Sequence, residues 1–595
     1  MHLSRTLHYL LMLLSSLLLL AFSEAVDEDT IVQVNGKKVG FGEFQSRLNG
    51  LPNTLKLSAD GIKETLLCTL IAETILSFEA LHEKLDTVER VRLYLDQYSN
   101  ESVYEQWMDA EVRSRVTVTE GELRSAYARF KERRFVAYWI LPDVGQAAAL
   151  RDEIARGRPP AAKPQVKEID FAESLESVEN AVYRLNEGGV STSVLVDGSY
   201  YIFQLLKRSP HPEYSKYNFA FWRRSIEKKL RARKEMSLVG EKLDALMKGK
   251  KYSVRRDAYG FLASQLSSLI FEREKPKFDS PELIQQELGT RESGSSGFFN
   301  QALITFKDGG TWSVGEFWKK LSVCPYPLNY KTPEELKKGL LDVVRDIILF
   351  ESIVLDAKKK RYDDSPSVQS ESEMWAGNVL AQALLSGFRK SVSVGEEELI
   401  QYYDSTRDRH LSPEQRRIIP IIVKDKITAD RLRGQIVGGA DILSLAAEYS
   451  LNNINPDRQK PGIFIARDSW GEIGRVAFTM ETGQLSEIIK EGDSTYAIVK
   501  LLEIKPAAPY PFEKIRGNLR ALMEARHLQE RVEAFLEHAV KKYKIVINRA
   551  ALKKVDYLGG TLAVKKAHFP LRSAVPGFPL FNPQAKWYLE EVSKN

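Results

Sequence analysis

Acid–base, metal and nucleophilic chemistry need histidines, cysteines or carboxylates brought together, and this chain is sparing with the first two. It has eight histidines and two cysteines in 595 residues. His527 and His538 fall on one amphipathic stretch but three helical turns apart, too far to share a metal or a proton. His410 precedes a strand-like segment. Cys68 sits in an apolar helical stretch and Cys324 stands before Pro325, so neither reads as a redox pair or a disulfide framework. No HExxH, GxSxG or phosphate-binding glycine loop occurs. The reading is therefore no metal and no cofactor. The 86 Lys and Arg against 80 Asp and Glu leave a formal charge of +6. The basic residues are scattered along helices rather than gathered into an aromatic-interleaved stripe, so no nucleic-acid partner is expected.

What chemistry remains must come from how the chain arranges itself. Its length exceeds what one hydrophobic core organises, so several domains are expected. The first 25 residues carry Arg5, an apolar run from Tyr9 to Phe22, and small residues at Ser23 and Ala25. That is the pattern of a cleavable secretory signal, with an uncleaved membrane anchor as the alternative. The mature chain is expected to begin at Val26.

An internal repeat sets the remaining boundaries. IVQVNGKKVGFGEFQSRL (31–48) aligns without a gap to ITFKDGGTWSVGEFWKKL (304–321). Asn35-Gly36 and Asp308-Gly309 have the chemistry of tight hairpin turns, because both residue types tolerate positive φ. Amphipathic helical regions follow each, the second opened by Thr332-Pro333-Glu334-Glu335, a cap, a first-turn proline and a capping glutamate. VTVTEGELRSAY (116–127) matches VSVGEEELIQYY (392–403), and RFVAYWIL (134–141) and RIIPIIVK (417–424) each read as a buried strand. The segments 182–207 and 477–503 each end in a hairpin with period-2 alternation, followed by a long charged helix at 213–248 and 511–544. The linker 289–299, which begins GTRESGSSG (289–297), joins the copies, so each half is expected to fold on its own. No role is assigned to the tail, 556–595.

The stretch 417–506 resembles a parvulin domain. Gly439-Ala440-Asp441-Ile442-Leu443-Ser444-Leu445-Ala446-Ala447-Glu448-Tyr449-Ser450 matches that family's central segment, and Ala477-Phe478 and Gly483-Gln484-Leu485-Ser486 match its later ones. The stretch 134–210 resembles a shortened module retaining Gly188-Gly189-Val190-Ser191. The segments 26–133 and 300–416 resemble the helical chaperone region of SurA-like periplasmic foldases, with long-helix regions at 211–288 and 507–555. The resemblance implies a multidomain α+β fold, helical chaperone regions with two parvulin-like α/β modules arranged as a tandem repeat.

Prolyl isomerisation crosses a barrier of roughly 18–20 kcal/mol set by amide resonance, and parvulins resemble one another in a cleft with two histidines, an acidic or cysteine side chain and an apolar floor. Carried over, the first histidine falls on Pro420 in the second module and Trp139 in the first, the second on Ala497 and Tyr201, and the acidic position on Asn452. The apolar floor is kept as Phe478 and Tyr183, with Tyr496 beside it as a further substrate contact. The glycine-rich turn is reduced to Lys460-Pro461-Gly462. The resemblance thus implies a peptidyl-prolyl isomerase scaffold, and the replaced residues predict that its activity is lost. The expected function is a periplasmic chaperone binding unfolded envelope or outer-membrane proteins. An isomerase with a non-standard site and an envelope assembly scaffold are the alternatives.

Overall fold

The structure, a computed structural model, describes residues 29–49, 51, 58–158, 160–214, 216–271, 297–323, 328, 330–452, 462–492 and 494–557. The expected signal segment, most of the linker, Cys324, Lys460-Pro461 and nearly all of the tail lie outside these residues.

In chain order the first copy runs β1 (Thr30–Val34), β2 (Lys37–Gly40), helices Phe41–Asn49, Ala59–His82, Glu89–Glu111 and Glu120–Phe130, then β3 (Glu132–Leu141), helix Val144–Ala155, β4 (Gln165–Ile169), helix Glu176–Tyr183, β5 (Val194–Val196), β6 (Ser199–Pro210), helix Phe219–Met247, β7 (Tyr252–Val254) and helix Arg256–Phe271. The second follows that order with two short strands and one helix added: β8 (Ala302–Phe306), β9 (Thr311–Ser313), helices Val314–Val323, Pro333–Lys359, Pro366–Ser391 and Glu396–Thr406, a short β10 (Leu411–Ser412), then β11 (Gln415–Val423). Helices Lys426–Val437 and Ile442–Tyr449 follow, then β12 (Ile463–Ala466), helix Gly471–Ala477, β13 (Ile489–Lys490), β14 (Tyr496–Lys505), β15 (Ala508–Pro509), helix Phe512–Ala539, β16 (Ile545–Ile547) and helix Arg549–Lys553.

Local chemistry accounts for many of the boundaries. Thr119 and Glu122 form a reciprocal capping box at the start of Glu120–Phe130, and Thr332 caps the helix that opens on Pro333. Asp143, Asn218, Asp425 and Asp441 accept from backbone N–H groups that would otherwise be orphaned. Asn35 and Gly36 both adopt positive φ, as a two-residue hairpin requires. The second hairpin departs from the gap-free alignment: Val32 pairs with Ile547 as Ile304 pairs with Val254, while Val39 and Trp312 pair with Val32 and Ile304, so its turn holds one residue more.

The strands do not close within each copy. β16, at the end of the second copy, pairs with β1 of the first, giving a sheet of order β16-β1-β2. β7, at the end of the first, pairs with β8 of the second, giving β7-β8-β9. The backbone bonds flanking these pairs correspond one to one: Asn35 N–H to Lys544 O and Asn548 N–H to Ile31 O on one side, Lys307 N–H to Lys251 O and Arg255 N–H to Leu303 O on the other. The expectation that each half folds on its own is therefore corrected. Each half owns a complete list of elements but completes its sheet with the other's last strand.

The helices of the two copies also share a core. Val103, Tyr104 and Trp107 of Glu89–Glu111 pack with Phe350, Ile353 and Val354 of Pro333–Lys359 and with Val239 and Leu243 of Phe219–Met247. Trp107 Nε1 donates to Asp356 at 2.8 Å, and Tyr98 stacks on Trp375 at 4.4 Å. Buried Glu111 accepts from Lys242 at 2.8 Å in its own copy, and from Lys360 at 2.8 Å and Tyr362 at 3.0 Å in the other. Those bonds outweigh the cost of burial and hold its carboxyl down at about 2. The chain divides into two compact units, residues 1–384 with 536–595, and residues 385–535. The exchanged sheets and the first α/β module belong to the first unit, the second module to the second.

Candidate functional site

Both modules are four-stranded antiparallel sheets of the same order, β4-β3-β6-β5 and β12-β11-β14-β13. Their first strands carry a register shift at corresponding places, Phe135/Val136 and Arg417/Ile418. The shift fixes which residues correspond. Arg134 matches Arg416: each is buried, ion-paired to the glutamate two residues before it (Glu132 and Glu414), and set over an aromatic ring, Tyr183 at 4.9 Å and Phe478 at 4.8 Å. Ser191 and Ser486 correspond too, each accepting from the last strand's backbone at 2.9 Å.

From that register Pro420 corresponds to Tyr138, and Ala497 to Tyr201, since Ile422 pairs with Ala497 as Ile140 pairs with Tyr201. Trp139 is displaced by one residue from the position expected of it. A shift of one residue moves a strand side chain to the opposite face. Trp139 indeed packs with Ala147, Leu150 and Ile154 under the Val144–Ala155 helix, its indole N–H donating to Ala162 O at 2.8 Å. The bulge falls at the same place in both strands, so one offset relates them throughout, and that offset makes Tyr138, not Trp139, the counterpart of Pro420. The residue that sequence reasoning missed is Tyr138, stacked on Tyr201 at 6.1 Å and against Phe203 at 6.0 Å.

In the second module Pro420 and Ala497 share a face with Ile418, Val499 and Phe478. Proline is tolerated there for a local reason. β12 pairs with β11 only as far as Ile418, and the next backbone bonds on that edge are Ile422 N–H to Ser450 Oγ and Leu451 N–H to Ile422 O. Pro420 falls between them, at a point where no ladder bond calls for its missing N–H. Asn452 is half-buried, its N–H donating to Ser450 Oγ at 3.4 Å. Tyr496 packs on the opposite face, with the core of helices Lys426–Val437 and Ile442–Tyr449, so it is not brought together with Phe478.

Neither floor residue lies open. Phe478 is 9% exposed, with the guanidinium of Arg416 4.8 Å and that of Arg467 4.9 Å from its ring centre. Tyr183 is buried in a core with Phe130, Phe171 and Ile226, its hydroxyl donating to Glu132 O at 2.9 Å. Burial pushes its phenol above the ordinary range and pulls the Arg134 guanidinium below its own. Gly462, the described end of the shortened turn, has φ +94°, and a Cβ there would meet Ile418 O at 2.8 Å. Cys68 is fully buried and burial pushes its thiol up to about 12, which makes it a poor nucleophile. No cluster of three or more metal-ligating side chains occurs among the described residues.

The site positions therefore assemble two sheet faces built for packing. At the four positions that the resemblance gives to the family's histidines stand Tyr138, Tyr201, Pro420 and Ala497, with no imidazole among them.

Residues 394–517 match the family model described as the PPIC-type PPIASE domain. The chain is similar to the foldase protein PrsA of Caldanaerobacter subterraneus, 26% identical over 227 residues, covering 35% of this chain and 72% of that protein. It is similar to foldase protein PrsA 4 of Bacillus cereus, 31% identical over 125 residues, covering 20% of this chain and 42% of that one. Among solved structures, a SurA-like chaperone of Campylobacter jejuni aligns at 15% identity and a TM-score of 0.24, covering 36% of this chain and 88% of its own.

Proposed function

We propose that this chain, which belongs to the SurA-like, parvulin-type family, is a chaperone of the bacterial envelope that holds unfolded proteins without isomerising their proline bonds. The observation that carries the reading is the absence of a titratable imidazole, thiol or carboxylate at the four family positions. A catalyst of this reaction must stabilise the altered charge of a twisting amide in a dry cleft. Pro420 and Ala497 present only hydrocarbon there, and Tyr138 and Tyr201 present stacked rings.

Holding needs no such groups. A protein that binds the unfolded state lowers its free concentration by mass action, and broad apolar surfaces suit clients whose sequence is not fixed. The signal-like first 25 residues fit export to the periplasm, where unfolded envelope or outer-membrane proteins would be the clients, and the relatives' printed descriptions as foldases fit a role in folding.

Two assays on the mature chain test this: refolding of a protein limited by a slow proline step, and light scattering by an unfolded outer-membrane protein. Scattering is expected to fall near stoichiometric chaperone, with the proline step unchanged. Acceleration of that step at substoichiometric concentration would overturn the reading.

A further inference from the structure

The start of the long helix offers an internal comparison that the α/β modules do not. Tyr127 donates its hydroxyl to Tyr217 O at 2.9 Å and packs on Phe219 at 5.4 Å; Tyr403 donates to Tyr510 O at 2.8 Å and packs on Phe512 at 5.6 Å. With that frame superposed, buried Ile226 corresponds to buried Leu519 and Phe221 to Lys514. In the second copy Lys514 lies over the Tyr510 ring at 4.7 Å, a solvated cation on an aromatic face. In the first, Phe221 takes its place, stacked on Tyr217 at 4.3 Å. Both rings stand out from the protein, 60% and 51% exposed. The same fold tolerates a charge at this position, so packing does not require the phenylalanine.

The charge around the pair differs in the same direction. From Tyr217 to Lys234 the chain carries seven Lys or Arg and a single acid, Glu227; from Tyr510 to His527 it carries four and two. Most of the first set are engaged: Arg223 with Glu120, Lys229 with Glu173, Arg233 with Glu179, Lys234 with Glu122. Arg224 and Lys228, one and two turns along from Phe221, are exposed and have no ion pair among the described residues. Exposed Met236 continues the line. The result is a convex helical face with aromatic rings at one end and unneutralised cations beside them.

We propose that this face, centred on Tyr217, Phe221, Arg224 and Lys228, docks on an anionic lipid surface. Aromatic rings at the headgroup level and cations facing acidic headgroups are the two complementary terms of interfacial helix binding. A convex row projecting outward fits a plane better than an extended peptide, which binds in a groove. The proposal does not rest on the chaperone reading, which the aggregation assay tests separately.

Co-sedimentation of the full-length mature protein with vesicles decides it. Binding is expected to phosphatidylglycerol-containing vesicles and not to pure phosphatidylcholine, and to weaken as salt is raised. Phe221→Ser, which removes the ring at an exposed site without adding a cation, is expected to lower apparent affinity by about tenfold, and the double change Arg224→Glu with Lys228→Glu by more, with thermal unfolding unchanged. The proposal is overturned if wild type ignores anionic vesicles, or if neither change alters binding. It is also overturned if the changes abolish capture of an unfolded protein while vesicle binding stays intact, which would make the face a polypeptide site.

Discussion

The two α/β modules share a sheet order and a bulge, yet they use the same face in opposite ways. In the first, Phe130 of the preceding helix is 2% exposed and packs on Phe171 at 5.1 Å; Phe171 in turn meets Tyr183 edge-on at 5.4 Å. Following the registers of the two sheets, the corresponding residues of the second are Thr406, Arg467 and Phe478. Thr406 turns its hydroxyl back to Tyr402 O at 2.6 Å, and the Arg467 side chain is 65% exposed. An aromatic wedge joins the first module to the helical body, and it belongs to the same compact unit as the exchanged sheets. A hydroxyl and a solvated cation stand where that wedge would be in the second module, which lies in a unit of its own. A duplicated scaffold can thus spend one copy on architecture while the other keeps only a charged cover over its floor.

The sharpest way to break this picture is to separate the copies. Prepared apart, fragment 29–271 is expected to lack cooperative unfolding and fragment 297–557 to keep only the transition of residues 385–535; mixing them one to one is expected to restore the transition of the first unit, followed by circular dichroism and gel filtration. Cooperative folding of the first fragment alone would mean that β7 can replace β16 beside β1. The next effect in size concerns the wedge. Phe130→Ala is expected to destabilise the first unit by about 3–5 kcal/mol in denaturant titrations, against under about 1 kcal/mol for Thr406→Ala in the second; equal losses would erase the contrast. The smallest is Arg467→Ala. An exposed guanidinium over a ring contributes about 0.5–1 kcal/mol, so stability should barely change while Phe478 gains exposure, read as increased binding of an apolar dye. No gain in dye binding would show that Arg416 and the module core already seal the floor.

The family of the second module was legible because its central segment is contiguous: Gly439 to Ser450 codes a turn, the Asp441 cap and the helix Ile442–Tyr449 within twelve consecutive residues. In the structure Pro420 and Ala497 share a face with Phe478, while Trp139 and Tyr496 point to the opposite faces of their sheets. Trp139 lies on the other face because the single offset that relates β3 to β11 makes its neighbour Tyr138 the counterpart of Pro420. Tyr496 was misplaced because adjacency to Ala497 in a strand puts it on the other face. That Phe478 and Tyr183 are covered was not legible either, since Arg416 and Arg134 reach them from the first strands of their sheets, about fifty to sixty residues back in the chain.

By itself the sequence determined the list and order of elements in both copies, through capping residues, turn glycines and the two hydrophobic periods, all of which act over a few neighbouring residues. Tertiary structure alone decided which copy's last strand completes which hairpin. β7 and β16 are each three residues long and pair with β8 and β1 in the same register, so strand length and register do not choose between them. The choice is made by everything that packs around them at once: the shared core of Trp107, Phe350 and Leu243, and a single glutamate, Glu111, bonded to lysines of both copies. Such contacts join residues more than one hundred positions apart, up to 249 for Glu111 and Lys360, and no window on the sequence spans them.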